Sequence, residues 1–180
     1  FSAQLGEARK KLVTANEELA KLNAKNIHLQ ETLSRDMALK KILDSDMKGV
    51  YGTVASLGQV KSKYSMALEI AAGSKIKSIV VDDDKVAARC INYLKKNKYG
   101  VARFLPLNKI KSKPLDPNTQ KLKSNTGVHG LAIDLVSYDA KFKDVFSYVF
   151  GNTLVVENVE TARKMGVGRA KMVTLDGDVT

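Results

Sequence analysis

Four sets of residues in this 180-residue chain have types that could do chemistry. The first is the glycine- and lysine-rich stretch KGVYGTVASLGQVKSKYSMALEIAAGSK (48–75), a candidate phosphate cradle. A Walker loop needs G-x-x-x-x-G-K-[ST], because backbone N–H groups wrap the phosphates while the lysine and hydroxyl reach the terminal phosphate and its metal. No glycine in the chain is followed by lysine. The dinucleotide fingerprint G-x-G-x-x-G also fails, since GVGRAK (166–171) places Lys171 where the third glycine belongs. Gly49 and Gly52 are therefore read as backbone devices at a strand entrance.

The second set is DDD (82–84), an oxygen cluster suited to a hard cation. Lying between a strand and a helix, it reads more simply as a helix cap. The third is the pair of histidines: His129 in TGVHGL reads as a structural loop residue, because no nucleophile motif accompanies it, and His28 as solvated. The fourth is the single cysteine, Cys90, on the apolar face of a helix, where a buried, inert thiol is expected. One cysteine and two histidines make no zinc spacing. No metal, no cofactor and no catalytic residue are expected.

Charge is more informative. The net charge is +11, and its excess is concentrated: residues 95–123 hold nine basic side chains, Lys95, Lys96, Lys98, Arg103, Lys109, Lys111, Lys113, Lys121 and Lys123, against Asp116 alone. Lysines meet phosphate as flexible point charges, which suits sequence-independent contact with DNA. Base readout is not indicated, since arginine is scarce here and Tyr93, Tyr99 and Phe104 form no stacking motif.

The elements that position these residues fall into two parts. Residues 1–46 follow a heptad with Leu5, Leu12, Leu19, Asn26 and Leu33 at a, and Ala8, Ala15, Leu22 and Leu29 at d. A strict a/d stripe is a coiled-coil seam, and Asn26 is the kind of polar a residue that fixes register. One helix is expected from Ala3 to Asp46, on the order of 60 Å long. No second heptad segment follows, so the partner strand lies outside these residues and the chain reads as a cut fragment.

From Lys48 the pattern becomes alternating strands and short amphipathic helices, an α/β body. Strands are expected at VYGTVASLGQV (50–60), IKSIVV (76–81), YGVARFLPLNKI (99–110), GLAIDLVSYD (130–139), TLVVENV (153–159) and AKMVTLDGDVT (170–180). Helices are expected at 63–73, 82–97, 140–152 and 160–168, with Gly73 ending the first. KSKPLDPNTQKLKSNT (111–126), with two prolines, reads as an exposed basic loop joining the halves 47–110 and 127–180. The first 30 residues carry charges throughout and no apolar run reaches the roughly 18 residues of a membrane span, so a soluble, cytoplasmic protein is expected.

Taken in order, GVYGTVASLGQV, ALEIAAGSKIKSIVVDDDKVAARCINYLKKN, FLPLNKIK, GLAIDLVSYD, VFGNTLVVENVETARKMG and MVTLDGDV resemble the hinge domain of structural maintenance of chromosomes (SMC) proteins. The resemblance spans residues 36–180 and is strongest to the archaeal and bacterial homodimeric kind. It implies an α/β (α+β) hinge of two similar halves after a coiled-coil arm, through which two SMC chains dimerise. The chain's own returning helix would pair with the arm, and DNA would touch a basic surface near the chromosome. The ATPase heads would lie elsewhere. The family's glycine motif, G-x6-G-x3-G-G, is matched at its first position by Gly177. Its other glycines fall beyond Thr180, so the second half is expected to be C-terminally truncated. The resemblance places the dimer interface at Val173, Leu175, Asp176 and Gly177. Two other readings of the residues stand beside it: a nucleotide-binding α/β domain on a coiled-coil stalk, and a coiled-coil adaptor that binds protein alone.

Overall fold

The structure is a computed structural model and describes residues 2–180, with side chains from Leu5 onward. Helix α1 (Ser2–Asp44) runs unbroken for 43 residues, about 65 Å at 1.5 Å per residue. It ends two residues before Asp46, whose positive φ of 52° turns the chain into the body. The seam leucines Leu5, Leu12, Leu19, Leu22, Leu29 and Leu33 are 57–64% exposed, and Asn26 is exposed beside them. Only the last turns dock: Ala38 and Ile42 are fully buried with Ile79, Val81, Cys90 and Leu94. At 100° per residue these two lie about 140° and 180° around the helix from Leu33. Docking therefore uses the face opposite the seam and leaves the seam open.

The body follows the expected α/β alternation, with shorter strands. Its first half contains β1 (Val50–Thr53), one-turn α2 (Val54–Leu57), β2 (Gly58–Val60), α3 (Ser65–Ala72), β3 (Ile79–Val81), α4 (Asp84–Asn97) and β4 (Phe104–Pro106). Helix α5 (Pro117–Leu122) stands between the halves. The second half contains β5 (Val128–Leu131), β6 (Val136–Tyr138), α6 (Lys143–Phe150), β7 (Thr153–Val156), α7 (Val159–Met165) and β8 (Lys171–Thr174). Each half has one three-stranded sheet, β1-β3-β4 and β5-β7-β8, with the first pair antiparallel and the second parallel. Both antiparallel pairs carry an irregularity at their glycine, Val50/Gly52 and Val128/Gly130. Strands β2 and β6 pair antiparallel and join the halves, Gly58 opposite Tyr138 and Val60 opposite Val136.

The halves interlock. Helix α3 of the first half lies on β7 and β8 of the second and against α6. One hydrophobic cluster unites Leu68 of α3, Phe146 of α6, Val80 and Leu105 of the first sheet, and Val155 and Val173 of the second. Two reciprocal polar clasps close the seam between the halves. The Tyr51 hydroxyl donates to Asp82 at 2.9 Å and accepts from Lys141 of the other half. At the equivalent place, His129 bonds Glu157 through Nε2 and the Tyr64 hydroxyl of the first half through Nδ1, at 3.3 Å.

Local chemistry explains where the sequence reading and the structure part. VYGTVASLGQV breaks into strand, helix and strand because the Thr53 hydroxyl caps α2, accepting the Ser56 N–H at 3.1 Å. GLAIDLVSYD is broken at the corresponding place by a 3-10 turn over Ala132–Leu135, here without a side-chain cap. The loop expected at 111–126 holds α5, since Asp116 caps it and Pro117 stands at its first turn, where a missing N–H costs nothing. Leu115 and Leu122 pack on the second half and Thr119 is buried, so the segment is a fitted strap.

Phe146 is the residue on which the shared core depends most visibly, since it is 1% exposed and stacks on Tyr138 at 4.4 Å. Phe146→Ala is expected to lower stability by about 3–5 kcal/mol. Equilibrium denaturation by urea, with the slope unchanged, is the measurement.

Candidate dimer face and basic surface

Each residue of the aspartate run has a separate structural task. Asp82 accepts from Tyr51, Asp83 caps α4 by accepting the Val86 N–H at 2.8 Å, and Asp84 accepts from Asn108 at 2.8 Å. Lys109 stands 3.4 Å from the second oxygen of Asp84. Cys90 is fully buried, 3.8 Å from the Met47 sulfur, and burial pushes its thiol pKa up, away from the reactive thiolate.

The nine basic residues lie on three elements. Lys95 and Lys96 occupy the last turn of α4 and Lys98 ends it in the left-handed conformation, so part of this charge answers the negative end of the helix. Arg103 precedes β4 and donates to Ser74 at 3.3 Å. Lys109 stands in the turn after β4, and Lys111, Lys113, Lys121 and Lys123 follow along the strap. Two of these are engaged: Lys109 with Asp84 and Lys123 with Asp134, at 2.6 Å. Lys111, Lys113 and Lys121 are exposed and have no ion pair among the described residues. The strap itself is pinned, because Asp144 accepts from the Ser112 N–H at 3.2 Å and Asn152 accepts from the Asp116 N–H at 2.9 Å. These lysines thus stand on fixed backbone.

The segment expected at the dimer interface divides. Val173 is fully buried in the shared core, because its place in β8 points it inward, and this removes it from any surface. Leu175 is half-buried and Asp176 exposed. After β8 the chain turns back at Gly177, and Val179 pairs with Val173. A Cβ at Gly177 would stand 3.2 Å from Met66 Cγ and 3.3 Å from Ile70 Cγ1, so this turn lies over α3. Met66, Ile70 and Val179 are 55%, 40% and 54% exposed, an apolar surface beside the turn. The sequence reading missed Met66 and Ile70. Their signal is that SMALEIAA is apolar almost all the way round, whereas a helix with one buried face needs only one apolar stripe.

Residues 47–166 match the family described as SMC proteins Flexible Hinge Domain. The chain is 41% identical over 180 residues to the chromosome partition protein Smc of Methanocaldococcus jannaschii, covering 96% of this chain and 15% of that one. It is also similar to a crystal structure of an asymmetric dimer of the Geobacillus stearothermophilus SMC hinge domain. That likeness has a TM-score of 0.76 and 29% identity, covering 99% of this chain and 72% of that one. A Pyrococcus furiosus Smc hinge domain with an extended coiled coil gives a TM-score of 0.70 at 34% identity, covering 99% and 62%. The fold and these likenesses define a hinge-type α/β body on a coiled-coil arm. The chain belongs to the SMC hinge-domain family, and it spans about 15% of the length of the curated relatives it matches.

The task given to Asp84 is testable by titration. Its carboxyl is held below its ordinary pKa, chiefly by the hydrogen bond from Asn108 and then by the Lys109 charge. A depressed folded pKa gives stability that is present above the unfolded value and fades as pH falls through the folded one. Asn108→Ala is expected to raise the Asp84 pKa toward its ordinary value, read from carboxyl chemical shifts by NMR. An unmoved titration would remove Asn108 from this role.

Proposed function

We propose that this chain is the dimerisation hinge of an SMC chromosome condensation and segregation ATPase, and that it contacts DNA without sequence preference. The observation that carries the reading is the apolar face of Met66, Ile70 and Val179 beside the Gly177 turn, on a body of two interlocked halves. Relatives named as chromosome partition proteins and a hinge solved as an asymmetric dimer support it. The partner is a second copy of the chain, meeting this face with Leu175, Asp176 and Gly177. Hinging, not catalysis, is the work of this body. The open seam from Leu5 to Leu33 takes the chain's own returning helix, since six leucines at coiled-coil spacing stay exposed while the opposite face of α1 holds the body. The whole protein works in the cytoplasm on the chromosome.

Light scattering at micromolar concentration is expected to give the mass of two chains for the protein. Met66→Lys with Ile70→Lys is expected to give the mass of one, with the circular dichroism spectrum of the folded body unchanged. A dimer that survives both substitutions would move the interface elsewhere.

DNA contact rests on Lys111, Lys113 and Lys121, because they are exposed, carry no ion pair among the described residues and stand on a pinned strap. Replacing all three by Gln is expected to weaken DNA binding equally across sequences and to flatten the plot of log affinity against log salt, by about 0.9 for each phosphate no longer neutralised. Lys109→Gln with Lys123→Gln is expected to do less, since both already serve carboxylates. Unchanged affinity in the triple variant would remove DNA from the strap and favour the protein-only adaptor.

A further inference from the structure

The leucine seam of the arm stops where the arm reaches the body. Counted on from Leu29 and Leu33, the next d and a positions are Asp36 and Lys40, the first charged residues to stand on the seam. At this level a cleft of about 330 Å³ lies between arm and body. Arg35, Asp36 and Leu39 line it from the arm, and Lys77, Val101 and Arg103 from the body. Around α1 from Leu33, Asp36 stands at about 300° and Leu39 at about 240°, while the docked Ala38 and Ile42 stand at about 140° and 180°. The cleft therefore opens between the docked face and the seam.

Its charge is unbalanced. Three basic side chains, Arg35, Lys77 and Arg103, line it against Asp36 alone, and Asp36 is already taken, since Lys77 Nζ stands 2.8 Å from its Oδ1. Among the described residues neither arginine has a carboxylate across the cleft. Arg35 reaches back along α1 to Glu31 at 3.9 Å, and Arg103 donates to Ser74 at 3.3 Å. Each guanidinium carries a fork of N–H donors that fits a carboxylate, and the two line one space that holds no acid free to receive them. Beside them Val101 is 67% exposed, an apolar side chain left open to water. A helix seated on the seam would run with its axis about 8–10 Å from that of α1, across the mouth of this cleft.

We propose that the cleft is the socket that anchors the returning helix at the body. The helix sets one carboxylate between Arg35 and Arg103 and lays an apolar side chain on Leu39 and Val101. The inference rests on the reading that the seam takes the chain's own returning helix, and adds the chemistry that this helix must carry at the level of Asp36. The leucines hold the two strands together along their length, whereas the socket accepts a charge of one sign at one place.

Side-chain NMR of the chain continued through its returning helix, beside the 180-residue chain, tests it. Leucine methyl signals report the seam. Arginine Nε–Hε signals, assigned by their loss in Arg35→Lys and Arg103→Lys, report the socket. On continuation the Leu22 and Leu29 methyls are expected to shift, and the Arg35 and Arg103 Hε signals to move downfield together. Both Hε protons are then expected to show nuclear Overhauser contacts to the side-chain methylene of one acidic residue of that helix. If the methyls shift while the arginine signals stay in place, or while their contacts go to no acidic residue, the helix lies on the seam and the socket is overturned. If the methyls do not shift, the helix is removed from the seam and the socket falls with it.

Discussion

The rest of the structure depends on one constraint: each half covers one face of its sheet without the other half, but the remaining apolar surface is covered only by the opposite half. Helix α3 comes from the first half and lies on the second sheet, while Val80, Leu105, Val155 and Val173 of the two sheets share a single core with α3 and α6. An amphipathic element must cover its apolar face against something, and here each half supplies part of the other's cover. The β2–β6 pairing and the two polar clasps then fix the relative position of the halves with backbone and side-chain bonds. The duplicated order of elements is visible in positions such as Gly52 and Gly130 or Gly73 and Gly151, each recurring with the same local role.

The functional surfaces follow from that rigid body. The arm leaves from it through Ala38 and Ile42, so its seam faces away from the core. The Gly177 turn lies over the outer face of α3, a helix whose inner face is committed to the core. The strap carries its lysines across the second half on backbone tied to Asp144 and Asn152. The foot of the arm, the apolar face and the basic strap are therefore each placed by packing or backbone bonds to that body.

Much of this was legible in sequence. The heptad gave the arm within two residues at its end, the aspartate run before KVAARC marked the cap of α4 at Asp83, and the resemblance carried by the six sequence blocks is borne out by the family match over 47–166 together with the relative matched along 96% of the chain. Strand lengths were overread for a physical reason: apolar residues recur through 50–60 and 130–139, and only the Thr53 cap and the turn at Ala132 interrupt them. The strap looked like a loop because 111–126 carries two prolines and almost no large apolar residues, although Leu115, Thr119 and Leu122 stand at i, i+4 and i+7 and Asp116-Pro117 marked a helix start. Val173 was placed on a surface because it stands four residues before the motif glycine Gly177, yet β8 is covered on both faces, with Met172, Val173 and Thr174 all buried. The clasps could not be read, since Tyr51 and Lys141 are 90 positions apart and meet only through the interlock.

The central claim, that the two halves form one cooperative unit, is tested most directly by native-state hydrogen exchange in low denaturant. Amides of Val80 and Val81 in β3 and of Val155 and Val156 in β7 are predicted to exchange through the same opening, with equal free energies and equal denaturant dependence. Exchange of either sheet through a cheaper opening, with the other still protected, would show that one half unfolds alone and would contradict the account.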